Sequence, residues 1–284
     1  MSSRAPTPVT SRLGVGLGWR PELDHVVPDL DLGFLEVVAE NVDPDRLPAG
    51  IHRARGQGLA VVPHGLRLSL GGGERPDPAR LDRLARVAAA VEAPLISEHI
   101  AFVRAGGLEA GHVMAVERTE AALDVLTENV SLAARALPVP LALEHVATLV
   151  EWPGAEMDEA AFVAELLERT DVLLLLDVSN LYANAHNHGY DALAALGRYP
   201  LERIAYVHVG GGVHRDGRYH DTHSDPVVTG VLELVEHLCA RIDPPGILLE
   251  RDDNFPGAPT VTAELEAIRA AAARGDARRA AHAG

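Results

Sequence analysis

Short runs of apolar, β-prone residues alternate with longer stretches of helical periodicity from near the start of the chain to near its end. The candidate strands are Gly14–Gly18, Phe34–Ala39, Leu59–Pro63, Leu95–Ser97, Leu141–Leu143, Val172–Leu176, Ile204–Val209 and Ile247–Leu249. Between them lie helical patterns at Pro78–Val91, Glu117–Ala136, Asp158–Arg169 and Val227–Arg241, with a last one near Thr260–Ala273. Strands that read as continuous apolar runs, separated by helices, predict a parallel sheet buried on both faces. Eight such units in 284 residues predict a closed (β/α)₈ TIM-type barrel in a single domain rather than an open, doubly wound sheet. The expected organisation is a flexible N-terminus (1–12), the barrel (13–273) and a flexible, Ala/Arg-rich C-terminus (274–284).

The polar residues that follow these strands carry the chemistry. Strand two runs into Glu40 and Asn41, strand three into His64, and strand four into Glu98 and His99. Strand five ends at Glu144 and His145, strand six at Asp177 and strand eight at Glu250, while His208 lies near the end of strand seven. In a barrel these positions gather at the C-terminal mouth, where barrel active sites are built. One polar strand end is explained equally well by a capping role. A ring of carboxylates is different, because like charges at short range are unfavourable unless protons or cations neutralise them. Metal ions are the economical cations.

Two loops add donors. DVSNLYANAHNHGYDA offers Asn180, His186 and His188, and HVGGGVHRDGRYHDTHSDP offers His214, His220, Asp221, His223 and Asp225. Asp221 and His223, two apart, can point to one centre from an extended segment. His186, His214 and His220 read as solvated side chains. Arg251, Asp252 and Asp253 read either as partners that orient Glu250 or as plain loop charges. The donor set holds no thiolate, which disfavours structural zinc and iron–sulfur clusters and suits iron, manganese or catalytic zinc.

Composition narrows the function further. A net charge of −16 argues against nucleic acid as the main ligand. The N-terminal segment has no apolar core of a signal peptide and no run reaches membrane-spanning length, so a soluble cytoplasmic protein is expected. The single cysteine, Cys239, excludes an internal disulfide and fits the apolar face of a helix. GLGWR lacks the full dinucleotide-binding fingerprint. The chain contains no lysine, which removes one class of proton-transfer base.

The segments GVGLGWR, FLEVVAEN, HGLRLSLGG, ISEHIAF, LALEHV, LLLDVSNLYANAHNHGYDA, HVGGG, HDTHSDPV and LLERDDNFP, in this order from Gly14 to Pro256, resemble the multinuclear non-heme iron-dependent oxidative enzymes, the group that includes the methanobactin biosynthesis oxidase. The resemblance implies about two to three irons per chain, with dioxygen as co-substrate. It also implies oxidative modification of a ribosomally made precursor peptide, often at cysteine, and a partner protein that recognises the leader peptide. Carried over to this sequence, the implied ligands are His64, Glu98, Glu144, Asp177, His188, His208, Asp221, His223 and Glu250, with His99, His145 and Asn180 as further candidates. The chain departs from the family pattern at His145, where asparagine is usual, at Ser179 in the usual Asn-Asn pair, and at Gly212 in place of a second histidine. The eight units leave little room for a peptide-recognition domain, which also points to a partner. The main rival reading is a divalent-metal sugar isomerase or epimerase on the same type of barrel, and a metal-dependent phosphodiesterase or endonuclease is a third, weakened by the acidic balance.

Overall fold

Eight parallel strands close on themselves in the computed structural model, which describes residues 12–283. They are β1 (Gly14–Trp19), β2 (Phe34–Val38), β3 (Ala60–His64), β4 (Ile96–His99), β7 (Leu141–Glu144), β8 (Leu173–Asp177), β9 (Ile204–Val209) and β12 (Gly246–Leu249). Each pairs with its neighbours in sequence around the ring, and β1 closes the barrel against β12. Between them run α1 (Ala49–Gly56), α2 (Pro78–Val91), α3 (Glu120–Ala136), α4 (Glu159–Arg169), α5 (Val178–His188), α6 (Ala192–Leu196), α7 (Thr229–Cys239) and α8 (Ala258–Ala283). The chain therefore has the expected (β/α)₈ architecture. Its first unit departs from the pattern: β1 and β2 are joined by 3-10 turns with no α-helix, in a linker broken by Pro21 and Pro28.

Side-chain alternation explains what the barrel encloses. Phe34, Val62, Leu95, Ala142, Leu175, Tyr206 and Leu248 belong to one small buried cluster that fills the interior. The residue two positions on along each of these strands is polar: Glu36, His64, Ser97, Glu144, Asp177, His208 and Glu250. Residues two apart share a face of a strand, so an apolar floor carries a polar layer directly above it. The strand β1 presents glycines inward, and a Cβ on Gly16 would lie 2.4 Å from the ring of Phe34. The larger apolar cluster, with Leu17, Leu35, Val61, Ile96, Leu143, Leu174 and Val207, packs the outer face of the sheet against the helices.

Two hairpins outside the barrel were not anticipated from the sequence: β5 (Ala101–Ala105) with β6 (Leu108–Ala115), and β10 (Val213–Arg215) with β11 (Arg218–His220). The stretch read as a loop after strand six is also different, since it is α5, capped by Asp177 Oδ1, which accepts from Ser179 N at 2.6 Å and Asn180 N at 3.0 Å.

The C-terminal end also differs from expectation. Of the segment expected to be loose (1–12), all but Arg12 lies outside the described residues, and Arg12 makes a bidentate pair with Asp243 at 2.6 and 2.8 Å. The residues from 274 on, read as a frayed end, continue α8 as far as Ala283. They are held there by Arg274 and Arg278, which both pair with Glu236 of α7, at 2.6 and 2.5 Å. Gly275 makes the close approach: a Cβ there would lie 2.3 Å from Glu236 O and 2.6 Å from Cys239 Cβ. Gly275→Ala gains about 0.5–1 kcal/mol of helix propensity, but overpacking against backbone costs about 1–3 kcal/mol. A net loss of stability is expected. A higher melting temperature for this variant would show that the end of α8 does not dock on α7.

Candidate metal centre

The barrel mouth gathers histidines and carboxylates into four overlapping groups, each with donor atoms within 4.8 Å of one another. They are His64, His99 and Glu144; Glu144, Asp177, His208 and Glu250; Asp177, Asp221 and His223; and His223, Glu250 and Asp252. The strands supply most of them for the reason of alternation given above. Asp221 and His223 come from the loop after β11, which reaches the mouth because the glycine run after β9 leaves space. A Cβ on Gly210 would lie 2.5 Å from the His223 ring, and one on Gly211 would lie 1.9 Å from Asp225 O. His223 itself takes a left-handed backbone, φ 50°, fixed by a hydrogen bond from its N–H to Gly211 O at 2.8 Å. Such a conformation is unfavourable for a non-glycine residue and marks a place where the surroundings impose geometry.

The electrostatics of this layer are severe. Glu144, Asp177, His208 and Glu250 are all buried. Burial, and then the charge of Asp221, pushes the Asp177 carboxyl above its usual range. Burial works in the same direction on Glu250, yet His223, His208 and Arg20 outweigh it and hold that carboxyl well below the usual range. His64 is driven well below the ordinary imidazole value by burial and by the neighbouring His99 and His208. Burial opposes a charge on His99 as well, but Glu144 and Glu98 prevail and raise it to about 9. His208 and His223 are raised well above the ordinary value against burial, the first by Glu36 and Glu250 and the second by Asp221 and Glu250.

Several buried donor atoms here make no hydrogen bond: Glu144 Oε2, Asp177 Oδ2, Asp221 Oδ1 and His208 Nδ1. The last lies 3.0 Å from Glu250 Oε2, out of line for a hydrogen bond. Buried polar atoms are nearly always satisfied, and a cluster of orphans of this chemical kind is what first-row metal ions use as ligands. The residues fit the bound metal that the sequence led us to expect.

Not every residue singled out in the sequence enters these groups. Glu98 lies outside them. It is one residue out of phase with inward-facing Ser97, and its two oxygens accept from the backbone N–H of Leu68 at 2.6 Å and of His99 at 2.7 Å. His188, near the C-terminal end of α5, also lies outside, with its Nε2 2.7 Å from Thr148 Oγ1. His145 is out of phase with Glu144 and faces the helical layer, its Nδ1 2.5 Å from Glu159 Oε1 of α4. Asn180 donates to His145 O at 2.9 Å and to Glu144 Oε1 at 3.4 Å, so it steadies the end of β7. Ser179 bonds both the N–H and the C=O of Gly210, at 2.6 and 3.1 Å. His186 and His214 are exposed, as the sequence suggested, while His220 is half-buried and lines the mouth.

Three residues of the centre were missed or left undecided. Glu36, fully buried, lies under the metal layer, and its signal was a charge inside the apolar run FLEVV. Arg20 is buried between Glu250, at 3.4 Å, and Asp252. Asp252 joins the cluster, with Oδ2 3.2 Å from His223 Nδ1. Arg251 instead turns away from the mouth to a buried pair with Glu264 of α8 at 2.8 Å.

Above the centre opens a cavity of about 610 Å³, reached by His64, His99, Glu144, Asp221, His223 and Glu250. Its upper wall comes from the β5–β6 hairpin (Val103, Val113) and from residues 146–149. The deep end is charged, and the walls combine apolar residues with polar ones such as Arg67, Glu109, His112 and Thr148, as in sites that orient a substrate at a reactive centre.

The fold and this mouth define a TIM-barrel protein with clustered histidine and carboxylate donors. The model of the family described as RiPP precursor modification enzyme MbnB/TglH/ChrH matches residues 14–273, and the chain belongs to that family. A UPF0276 protein of Streptomyces avermitilis is 53% identical over 267 residues, which cover 90% of this chain and 54% of the relative. The chain thus spans about half the length of that relative. A UPF0276 protein of Caulobacter vibrioides is 35% identical over 271 residues, with 92% of this chain and 95% of the relative covered. Among solved structures, a D-tagatose 3-epimerase-like protein superposes with TM-score 0.64 at 12% identity, over 93% of this chain and 99% of that one. An L-ribulose 3-epimerase gives 0.61 at 16%, over 96% and 97%. These last two likenesses establish the fold alone. Among the described residues, no helix is long and apolar enough to cross a membrane.

Proposed function

We propose that this chain is a multinuclear non-heme iron oxidoreductase that uses dioxygen to modify a ribosomally made peptide, with cysteine as the reacting residue. The observation that carries the reading is the sharing of donors. Glu144 belongs to one group with His64 and His99 and to another with Asp177, His208 and Glu250, and a carboxylate, with two oxygens, can serve two adjacent metal ions. The thiolate-free donor set suits iron among the redox-active metals, and membership of a family of peptide-modifying enzymes supplies the substrate class. Bound there, iron would supply one-electron redox chemistry, a place for dioxygen and an anchor for a deprotonated substrate thiol.

The protein's part is position and exclusion of water. The apolar wall of Val103, Val113, Val146 and Leu149 would shield a peptide segment as its reacting side chain enters the charged end of the cavity. His223, held in its left-handed conformation, fixes the ring between Asp221, with Nε2 2.8 Å from Oδ2, and Asp252. Leader-peptide recognition is assigned to a partner protein. The acidic balance suits a partner or peptide with basic patches.

The test is to purify the chain without oxygen and measure metals, then co-express it with a cysteine-containing precursor peptide and its genomic neighbours. About two to three irons per chain are expected, with an oxygen-dependent change in peptide mass that is lost when the cysteine is replaced by serine. Stoichiometric zinc or magnesium in an active preparation, with turnover of a free sugar and no change in any peptide, would overturn the reading in favour of a sugar isomerase or epimerase.

A further inference from the structure

Beneath the metal layer runs a continuous buried chain of polar side chains. His64 Nδ1 lies 2.8 Å from Ser97 Oγ, Ser97 Oγ lies 2.6 Å from Tyr206 Oη, and Tyr206 Oη donates to Glu36 Oε2 at 2.5 Å. The same oxygen of Glu36 lies 2.7 Å from His208 Nε2. All five residues are 2% exposed or less, so no solvent supplies or accepts a proton along the way. Two of them, His64 and His208, belong to different donor groups of the metal centre.

With Glu36 ionised, the state that His208 and Tyr206 favour against burial by converging on its Oε2, the hydrogens along the chain have one arrangement. Glu36 Oε2 accepts from Tyr206, so the tyrosine's only hydrogen is used and its oxygen must accept from Ser97. The serine hydrogen is then used in turn, and Ser97 Oγ must accept from His64 Nδ1–H. At the other end, Glu36 Oε2 accepts from His208 Nε2–H. Every hydrogen is directed toward Glu36. A neutral imidazole that donates from one nitrogen carries its lone pair on the other. His64 Nε2, which lies 3.4 Å from Glu144 Oε2, therefore faces the metal layer as a lone pair, and His208 Nδ1, the buried atom without a hydrogen bond, faces it from the other side and would be a lone pair once a metal ion replaced the proton that Glu36 and Glu250 favour on that ring.

We propose that Glu36, Ser97 and Tyr206 are positioning residues that fix the tautomers of His64 and His208, so that one anchored carboxylate aims two imidazoles from opposite sides of the barrel at the metal ions. The inference rests only on the metal-binding part of the reading above and is independent of the substrate. Outer partners of this kind commonly change metal affinity by about 10–100-fold.

The deciding measurement is the tautomer of His64 in metal-free protein, read from imidazole ¹⁵N chemical shifts. The wild-type ring is expected as the Nδ1–H form. Tyr206→Phe keeps the ring's shape and removes the link to Glu36, which frees Ser97 to donate to His64. Ser97→Ala removes the acceptor itself, and it carries the same test if the tyrosine variant fails to fold. In both variants the single Nδ1–H form is expected to be lost, and competition with a chelator is expected to show Fe(II) held about 10–100-fold more weakly. A wild-type His64 in the Nε2–H form, or an unchanged tautomer in the folded variants, would overturn the proposal. A changed tautomer with unchanged iron affinity would equally overturn it, because the chain would then not serve the metal.

Discussion

Glutamine in place of Glu144 is expected to remove more metal than the loss of a donor confined to one group, and to abolish turnover. The carboxylate lies in two of the four donor groups, so its loss weakens adjacent ions together. Glutamine keeps the shape and can still accept from Asn180 Nδ2, which lies 3.4 Å from Oε1. The fold should therefore survive. In the metal-free state two effects oppose: a buried negative charge is removed from beside Asp177 and Glu250, and so is the partner that raises His99 and His208. The expected result is a fall from about two to three irons to fewer than one, a drop in turnover below detection, and a melting temperature in the presence of chelator close to that of the metal-free wild type. Undiminished iron in Glu144→Gln would mean that the shared carboxylate does not bind metal.

The contrast with residues outside the groups sharpens this result. His214→Ala removes an exposed ring 4.7 Å from that of His186, and iron content should stay as in the wild type. Glu98→Ala should act differently from both. Its oxygens hold the backbone of Leu68 and His99, so its loss frees the loop that follows β3 and costs about 1–3 kcal/mol per unsatisfied buried group. Any metal loss there is expected together with a lower melting temperature, which Glu144→Gln should not show.

The parts of this architecture that could be read in the sequence are those with a simple period. Strand ends were placed within a residue or two because each apolar run stops at a charge, as at Leu143–Glu144 and Leu176–Asp177. The choice between adjacent candidates was not legible. Glu98 and His99, or Glu144 and His145, are equivalent as neighbours in a string, and only the phase of the strand decides which of each pair faces inward. That phase was nonetheless present in the spacing from Leu95 to Ser97 to His99 and from Ala142 to Glu144. Glu36 escapes a reading of strand ends because it lies inside an apolar run, although glutamate in such a place needs a buried partner. The hairpins carry no apolar stripe of their own; β6 is largely exposed, so no periodicity announces it. The first half of α8 buries Val261, Leu265, Ile268 and Ala271, but its continuation beyond residue 273 is held by arginine pairs with Glu236 and one close glycine contact, and such tertiary contacts are not written in local pattern.

Stripping the metal is expected to leave a protein that is less stable and newly sensitive to pH. Ions bound to the folded state alone stabilise it by about 2.7 kcal/mol when free metal is about 100 times Kd, which for a chain of this size is roughly 5–10 °C in melting temperature. The pH dependence follows from the groups left behind. His99, held at about 9 by Glu144 and Glu98 against the effect of burial, has a folded value above its unfolded one near ~6.5. Its contribution is present below that unfolded value and is lost as pH rises toward 9. His208 and His223 are also raised, and act with the same sign. Asp177, raised by burial and by Asp221, has the same sign, but its contribution begins to fall just above its unfolded value, about 3.9, on the acid side of the imidazole range. His64 opposes them: its value is lowered, so its contribution is lost as pH falls through the ordinary imidazole range. Glu250, with a lowered carboxyl, matters only in acid, below its unfolded value near ~4.3. The effect of His64 lies below the unfolded imidazole value, so among these groups the raised imidazoles decide the slope above it. Metal-free protein is therefore expected to lose stability steadily between about pH 6.5 and 9, while the metal-loaded protein, whose cations replace those protons, should show a much flatter profile. Thermal melts across this range, with and without chelator, measure both effects. Parallel profiles for the two forms would mean that the buried carboxylates and imidazoles at the barrel mouth are balanced by one another rather than by metal.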